Sequence, residues 1–365
     1  MPGELPADRV LAERARAQRL TGDRPTDPLG VLTAVGSLQA QDIRAARLAY
    51  RPRGTGFDVT AVTRSPDLVT TWLMRGTLHT VPATDVRWLL DLFRPPRSAG
   101  RTRRLALGLD DPLIDRALPV LAELLAAGPL TRTELADRLR AGGIPLGPGQ
   151  APAHLLHVAA REGLLRRGPD AGDQATYALL DAPAGDRPDR PDRPTALARL
   201  AHRYLAGHGP AAAADLATWS GLPLRDARAG LAGARDLLEE VRIGGQPAYR
   251  LHGAPEVAGD GTVRLVPAYD EYVLGYRGRE LALDPAYAAR IQAGGGVVAP
   301  AVLAGGRIVG RWAQRRSGDR LAVSVEPFGR LPRGARGQLD EEAADLGRYL
   351  GVRVELSVLA GSAPA

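Results

Sequence analysis

Apolar residues recur at helical spacing along several stretches of the chain, each bounded by residues that start or stop a helix. Thr131-Arg-Thr-Glu134 has the pattern of a capping box, in which two side chains satisfy backbone N–H groups at a helix start. It opens a helix with Leu135 and Leu139 on the buried side. After a Gly/Pro turn, a second run extends from about Gln150 to Glu162, with Leu155, Val158 and Glu162 at helical spacing, and stops at Gly163. Leu164-Leu165 and Tyr177-Ala-Leu-Leu180 then read as short strands around the loop 168–173. The same order returns downstream. Gly209-Pro210 precedes Asp215-Leu216-Ala217 by the offset at which Gly128-Pro129 precedes Glu134-Leu135-Ala136. Gly221 makes the turn, and Pro223 starts a helix carrying Leu224, Arg228, Leu231, Arg235 and Leu238. Gly244-Gly245 joins the strands Glu240–Ile243 and Ala248–Leu251. Both units read helix, helix, turn, helix, hairpin, the order of a winged helix-turn-helix.

The first 108 residues carry a weaker version of this pattern. Candidate helices are Ala7–Leu20 and Pro28–Leu38, with a third element at Ile43–Tyr50. Val69–Met74, the Arg75-Gly76 turn and Thr77–Val81 make the wing. Beyond residue 255 the pattern becomes β-rich: Val263–Pro267, Val297–Leu303, Arg307–Gln314 and Leu321–Pro327 read as strands between Gly-containing turns. A helix from about Arg336 to Leu350 and a strand Val352–Ser357 follow. The expected fold class is α+β, mostly α, with three tandem winged helix-turn-helix modules at 1–108, 109–182 and 195–254 and a C-terminal, barrel-like β-rich domain at 255–365. Pro183–Pro194 repeats Asp-Arg-Pro three times and is expected to be a semi-rigid linker, because proline fixes its own φ and extends the residue before it.

Composition then removes whole classes of chemistry. The chain has no Cys, so disulfides, zinc ribbons, iron–sulfur clusters and thiol nucleophiles are excluded. It has no Lys, so all 48 basic residues are Arg and no side-chain amine can form a Schiff base. Neither an apolar run of about 20 residues nor a secretory h-region is present, so a cytoplasmic protein without membrane contact is expected. His154 and His157 are the close histidine pair, but their spacing of three on a helix suits zinc poorly, and no metal or cofactor is expected. Asp270-Glu271 is expected to hold Arg side chains and fix a domain interface. The 48 Arg against 41 acidic residues give a net charge of +7 and a pI near 10.2. Arg94, Arg97, Arg101, Arg103 and Arg104 fall within a stretch containing no acid, and Arg307, Arg311, Arg315, Arg316 and Arg320 are opposed there only by Asp319. Such clusters read as phosphate-binding surface, with solvated loops as the alternative when each is taken alone.

Ser37-Leu-Gln39-Ala-Gln41-Asp42 offers two geometries with different chemistry. In a helix, Gln39 and Asp42 share a face and Asp42 would be the base. In an extended segment, Gln39 and Gln41 point the same way and can embrace one atom. Each carboxamide offers a carbonyl acceptor and two N–H donors, enough to hold a water and to face a developing positive charge.

Leu38-Gln-Ala-Gln-Asp42, Thr71-Trp-Leu-Met-Arg-Gly-Thr-Leu-His79, Gly209-Pro210 with Trp219-Ser-Gly-Leu222, and Leu265-Val-Pro-Ala-Tyr-Asp-Glu-Tyr272 occur in that order. Together they resemble the bacterial tandem winged-helix DNA glycosylases, the AlkZ-like and YcaQ-like proteins, over nearly the whole chain. The resemblance implies three winged helices and a β domain framing a basic surface. It implies excision, from double-stranded DNA, of alkylated and often bulky purines, including adducts of genotoxic natural products, in repair or self-resistance. The catalytic motif it implies is Gln-x-Gln or Gln-x-Asp. Gln39 and Gln41 match the former, which sets the chain apart from the crosslink-unhooking Gln-x-Asp branch. Arg75 and His79 of the first wing, and Arg307 after Gly305-Gly306, are the candidates for touching the lesion-bearing strand. A monomeric, monofunctional enzyme is expected, since no Lys is available for lyase chemistry. The competing expectation is a winged-helix transcriptional regulator, which normally dimerises to read a palindrome, and no dimer helix is evident.

Overall fold

The computed structural model describes residues 2–96, 98–180 and 190–361. The chain divides into two compact units, residues 1–65 with 192–365, and residues 66–191. The division falls inside the segment expected to be the first winged helix, whose helices belong to one unit and whose hairpin belongs to the other.

The first unit opens with α1 (Ala7–Ala17), α2 (Pro28–Val35), the short strand β1 (Leu38–Gln39), α3 (Ile43–Leu48) and α4 (Val59–Arg64). Asp27, Asp42 and Asp58 start three of these helices by accepting first-turn backbone N–H groups at 2.8–3.1 Å. The first two helices are shorter than their apolar pattern implies. Arg19 adopts φ 57° and Gly36 φ 89°, and a chain in that region cannot continue a right-handed helix. The turn at Gly36 is what leaves Leu38–Gln39 extended.

Residues 66–191 begin with the antiparallel hairpin β2 (Leu68–Trp72) and β3 (Leu78–Pro82). Then come α5 (Val86–Phe93), α6 (Arg101–Ala106), α7 (Asp111–Ala126), β4 (Leu130–Thr131), α8 (Arg132–Ala141), α9 (Ala151–Arg161), β5 (Leu165–Arg167) and β6 (Thr176–Leu179). From α7 onward this is a winged arrangement, with β6 central between β4 and β5. The capping box forms as expected: Thr131 N–H donates to the Glu134 carboxylate at 2.8 Å, and Glu134 N–H to the Thr131 hydroxyl at 3.3 Å. Leu121, Leu135, Leu139, Leu155 and Leu165 are sealed into one core, each contributing about 1.5–3 kcal/mol by leaving water.

The first unit resumes with α10 (Arg193–His208). Asp192 caps it through the Thr195 N–H at 3.0 Å, and Arg193-Pro194 fill its first turn, where a proline costs no hydrogen bond. The last Asp-Arg-Pro repeat therefore begins a helix and is not linker; residues 183–189 lie outside the described residues. Next are α11 (Ala213–Ser220), α12 (Leu224–Gly233) and the hairpin β7 (Leu238–Ile243) with β8 (Gln246–Leu251). The helix expected to carry Arg235 and Leu238 stops at Gly233; Arg235 lies in a short 3-10 turn and Leu238 opens β7.

The remaining elements are β9 (Val263–Val266), α13 (Glu271–Leu274), α14 (Ala288–Ile291), β10 (Ala301–Ala304), β11 (Arg307–Ser317), β12 (Arg320–Pro327), α15 (Ala335–Leu350) and β13 (Arg353–Val358). They build a curled sheet in the order β13-β12-β11-β10-β9, in which β12 and β13 alone run parallel. β9 and β13 are its two edges, so the expected barrel is open. Val297–Pro300, expected in a strand, follow three left-handed glycines, 294 to 296, and pairing begins at Ala301. Leu339, Ala343 and Leu346 of α15 are buried, and Glu342 accepts the Leu265 N–H at 2.8 Å. Among the described residues no helix is long and apolar enough to cross a membrane.

Candidate active site

The segment Leu38–Asp42 is not helical: Leu38–Gln39 form the strand β1, and Gln41 and Asp42 lie in a bend that leads into α3. Leu38 and Ala40 are each 1% exposed, whereas Gln39 is half-buried and Gln41 exposed, the alternation of a strand. Both carboxamides therefore stand on the side away from the core. Asp42 is the N-cap of α3, with one carboxylate oxygen accepting from Arg44 N–H (3.0 Å) and Ala45 N–H (3.1 Å). The helical geometry that would pair Asp42 with Gln39 as a base is absent.

Below this segment lies a buried polar centre from distant parts of the first unit. Glu271, fully enclosed at the start of α13, accepts the Gln39 backbone N–H on Oε1 (2.9 Å) and the Trp219 indole N–H on Oε2 (2.9 Å). His208 Nε2 stands 3.8 Å from the same Oε2, and its Nδ1 lies 3.2 Å from the Tyr204 carbonyl, which only an Nδ1–H can use. Tyr204 stacks on His208 at 4.8 Å and lies 5.0 Å from the Trp219 ring, centroid to centroid. Arg14 lies over the Tyr276 ring at 3.8 Å and donates to the Pro210 carbonyl at 3.0 Å.

Asp270 faces elsewhere. Its two oxygens take Nη1 and Nη2 of Arg53, and Oδ1 also caps α13 through Tyr272 N–H at 2.9 Å. Tyr269, at φ 56°, makes the turn that delivers the two carboxylates. Asp270 thus meets the expectation of holding an arginine, whereas Glu271 takes a backbone amide and an indole N–H. Neither Arg53 nor His208 stands out in the sequence. A signal is present all the same: Gln39, Trp219 and Glu271 each sit inside a segment that carries the family resemblance.

The arginine clusters are less free than their sequence implies. Arg94 pairs with Glu162 (3.3 Å) and Asp91 (3.7 Å). Arg104 is largely buried, donating to the Ala99 carbonyl (2.7 Å) and to Asp111 (3.2 Å), with Arg101 3.8 Å from the same carboxylate. Arg103 is exposed and donates to Gln150, and Arg97 lies outside the described residues. A stretch without acids thus meets carboxylates brought by neighbouring elements. In the first unit, Arg307 pairs with Asp8 (2.6 Å) and Arg311 with Glu326 (2.7 Å), while Arg320 lies 3.4 Å from Glu355. Arg315 and Arg316, near the fully exposed end of the β11–β12 hairpin, have no ion pair among the described residues.

Two further candidates change character. His79 is fully buried, with Nδ1 3.0 Å from the Thr77 carbonyl and Nε2 3.4 Å from Arg75, so it presents no surface for touching a strand. Arg75 is exposed and left-handed at φ 54°. The Gly305-Gly306 turn is packed and not poised in solvent: a Cβ on Gly306 would stand 2.8 Å from the Tyr272 hydroxyl and 2.9 Å from the Leu11 carbonyl. His154 and His157 lie on α9, and burial pushes the His157 imidazole down to about 4, helped by Arg161 and His154 nearby. Among the described residues, no three His, Asp or Glu side chains are grouped to hold a metal ion.

Gln39 and Gln41 thus lie on the outer side of a segment whose Gln39 backbone N–H is held by the buried Glu271 carboxylate. Residues 32–349 match the DNA glycosylase AlkZ-like family, and the chain belongs to it. It is a DNA glycosylase, which hydrolyses an N-glycosidic bond. A curated relative, the "Interstrand DNA cross-link repair glycosylase" of Streptomyces sahachiroi, is 28% identical over 366 residues, covering 94% of this chain and 96% of that protein. The solved structure of Streptomyces sahachiroi DNA glycosylase AlkZ has 26% identity and a TM-score of 0.80, covering 98% of this chain and all of that one.

Proposed function

We propose that this chain excises N7-alkylated purines from double-stranded DNA as a monofunctional, monomeric glycosylase, with Gln39 and Gln41 as its catalytic residues. A purine alkylated at N7 already carries a positive charge, so it leaves as a neutral base when the bond to C1′ breaks. The sugar is left as an oxocarbenium ion, which takes up water and loses a proton. Two carboxamides suffice for this chemistry, because their carbonyls face the cation and hold the water, and neither need take a full proton. A weak constellation of this kind acts on an activated adduct and spares an ordinary base.

The observation that supports this most is that Gln39 and Gln41 both lie on the outer side of a non-helical segment whose inner side is sealed by Leu38 and Ala40. One Asp42 oxygen is taken up in capping α3, and Asp42 does not share a helical face with Gln39 as the alternative base would. Trp88, Trp219, Trp312 and Tyr204 are enclosed in the core, which leaves these large aromatics unavailable for stacking on a flipped base and favours bulky adducts cut in place. Interstrand cross-links enter the substrate range through the relative's name. Membership of a glycosylase family disfavours the regulator.

The test is incubation with duplexes carrying an N7-alkylguanine or an N7–N7 cross-link, followed by heating in base. Strand breaks at the modified position are expected, and their absence would leave a DNA-binding protein without this activity.

A further inference from the structure

We propose that Glu271 is a positioning residue for catalysis: its buried carboxylate fixes the backbone of Gln39 and thereby aims the Gln39 carboxamide. This rests on the assignment of Gln39 and Gln41 as catalytic. The contact reaches from α13 to β1 across 232 residues, with Oε1 taking the Gln39 N–H at 2.9 Å. An ionised acceptor makes this hydrogen bond stronger than an ordinary backbone pair. Holding that N–H fixes the peptide plane between residues 38 and 39, and with it the direction in which the Gln39 side chain departs.

The carboxylate is itself held. Its other oxygen takes the Trp219 indole N–H at 2.9 Å, and Trp219 is wedged against Tyr204 and His208. Tyr204 and Tyr276 anchor that group by donating to the Gly275 and His208 carbonyls at 2.8 and 3.0 Å. A Cβ on Gly275 would stand 2.4 Å from the His208 ring, so the α13 terminus and the imidazole are packed to contact. Two N–H donors converge on Glu271, one at each carboxylate oxygen, and an acid accepts both. A glutamine there would present an NH₂ to one of the two donors, leaving donor against donor. Misplacement of a catalytic group by about 1 Å can cost about 10²-fold in rate.

Glu271→Gln and Trp219→Phe separate positioning from support of the fold. Single-turnover base release is measured on an N7-methylguanine duplex, with the K1/2 for duplex, the thermal midpoint and the backbone amide NMR signal of Gln39 recorded alongside. Glu271→Gln is expected to lower the maximal rate about 10- to 100-fold, leave K1/2 within about twofold, and shift the Gln39 amide upfield as it loses an ionised acceptor. Trp219→Phe removes the other donor and lowers the thermal midpoint, yet keeps the Gln39 signal and most of the rate. Should Glu271→Gln fail to fold, Glu271→Asp, which keeps the charge but withdraws the oxygen, replaces it with the same expected loss. A Glu271 variant that releases base no more slowly than Trp219→Phe overturns the proposal. Gln39→Ala is the companion: if it is slow and the Glu271 variant is not, positioning fails while the catalytic assignment of the glutamines stands. If Gln39→Ala is itself unimpaired, that assignment fails.

Discussion

Arg53 and Asp270 meet in a two-pronged ion pair, Nη1 and Nη2 each 2.7 Å from a carboxylate oxygen, with neither side chain exposed. Gln18 Oε1 (2.6 Å) and the Ala49 carbonyl (3.0 Å) take further guanidinium hydrogens, so the buried charge is well provided with partners. Removing one member of such a pair strands the other. Asp270→Ala is therefore expected to lower stability by about 3–5 kcal/mol, and Arg53→Met with Asp270→Leu by less than Asp270→Ala alone. Urea unfolding of these variants measures both. Equal losses would mean that packing, and not the stranded charge, dominates.

Gly306 should be intolerant for a reason that Gly244 does not share. Both are left-handed, at φ 78° and 56°, but a Cβ on Gly244 meets nothing within 4 Å, whereas one on Gly306 collides with Tyr272 and the Leu11 carbonyl. Gly244→Ala is expected to cost about 1–2 kcal/mol from backbone strain alone, and Gly306→Ala about 2–5 kcal/mol from strain plus overpacking. Thermal midpoints rank the two. Arg307→Ala, which breaks an exposed pair with Asp8, is expected to cost under about 1 kcal/mol.

Salt dependence sorts the arginines. Contacts to phosphate release counterions, so log affinity falls with log salt by about 0.9 per contact. Arg315→Ala and Arg316→Ala are expected to flatten that slope for damaged and undamaged duplex alike, as is Arg103→Ala. Arg104→Ala is expected to leave the slope unchanged and lower stability, because its guanidinium is committed to Ala99 and Asp111. Fluorescence anisotropy titrations over a range of salt concentrations read the slopes, and a flattened slope for Arg104→Ala would return that residue to the phosphate-binding set.

His157 makes stability depend on pH. Its folded-state value is pushed down to about 4, below the usual 6.5, so the folded protein binds the proton less well than the unfolded chain. The contribution is fully present above pH 6.5 and is lost as pH falls from there towards 4. Solvent reaching the ring edge limits it to about 1–2 kcal/mol. Comparing urea midpoints at pH 7.5 and 4.5, His157→Phe should lose less stability on acidification than the parent. The ring's edge-on contact with Trp72, 5.6 Å between centroids, suits that replacement. An equal loss in both proteins would assign the acid sensitivity to other groups.

Much of the fold is legible in the sequence because its signals are local. The Thr131/Glu134 capping box, the Gly244-Gly245 turn and the alternation along β11 each lie within a few residues of what they determine. What the sequence leaves open is decided by distant partners or by a single backbone angle. Whether Asp42 is a cap or a base turns on Gly36, whose left-handed φ ends α2 and lets β1 extend. Arg104 looks like a free cation until α7 brings Asp111 beside it. Gly306 looks like a groove-probing turn until Leu11, near the start of the chain, packs against it. Glu271 looks like an arginine holder by analogy with its neighbour, and only the folded chain brings it under Gln39.

The most direct measurement is single-turnover release of an N7-alkylpurine from duplex DNA by Gln39→Ala, Gln41→Ala and Asp42→Ala, with duplex affinity measured in parallel. Each glutamine variant is expected to lose about 10²-fold in rate, or about 2.7 kcal/mol of transition-state stabilisation, at near-parental affinity. The double variant should lose little more, because both carboxamides serve one water. Asp42→Ala should cost about 1 kcal/mol of stability as a lost cap and leave base release intact. A protein in which Asp42→Ala abolishes release while Gln41→Ala keeps it would contradict the account.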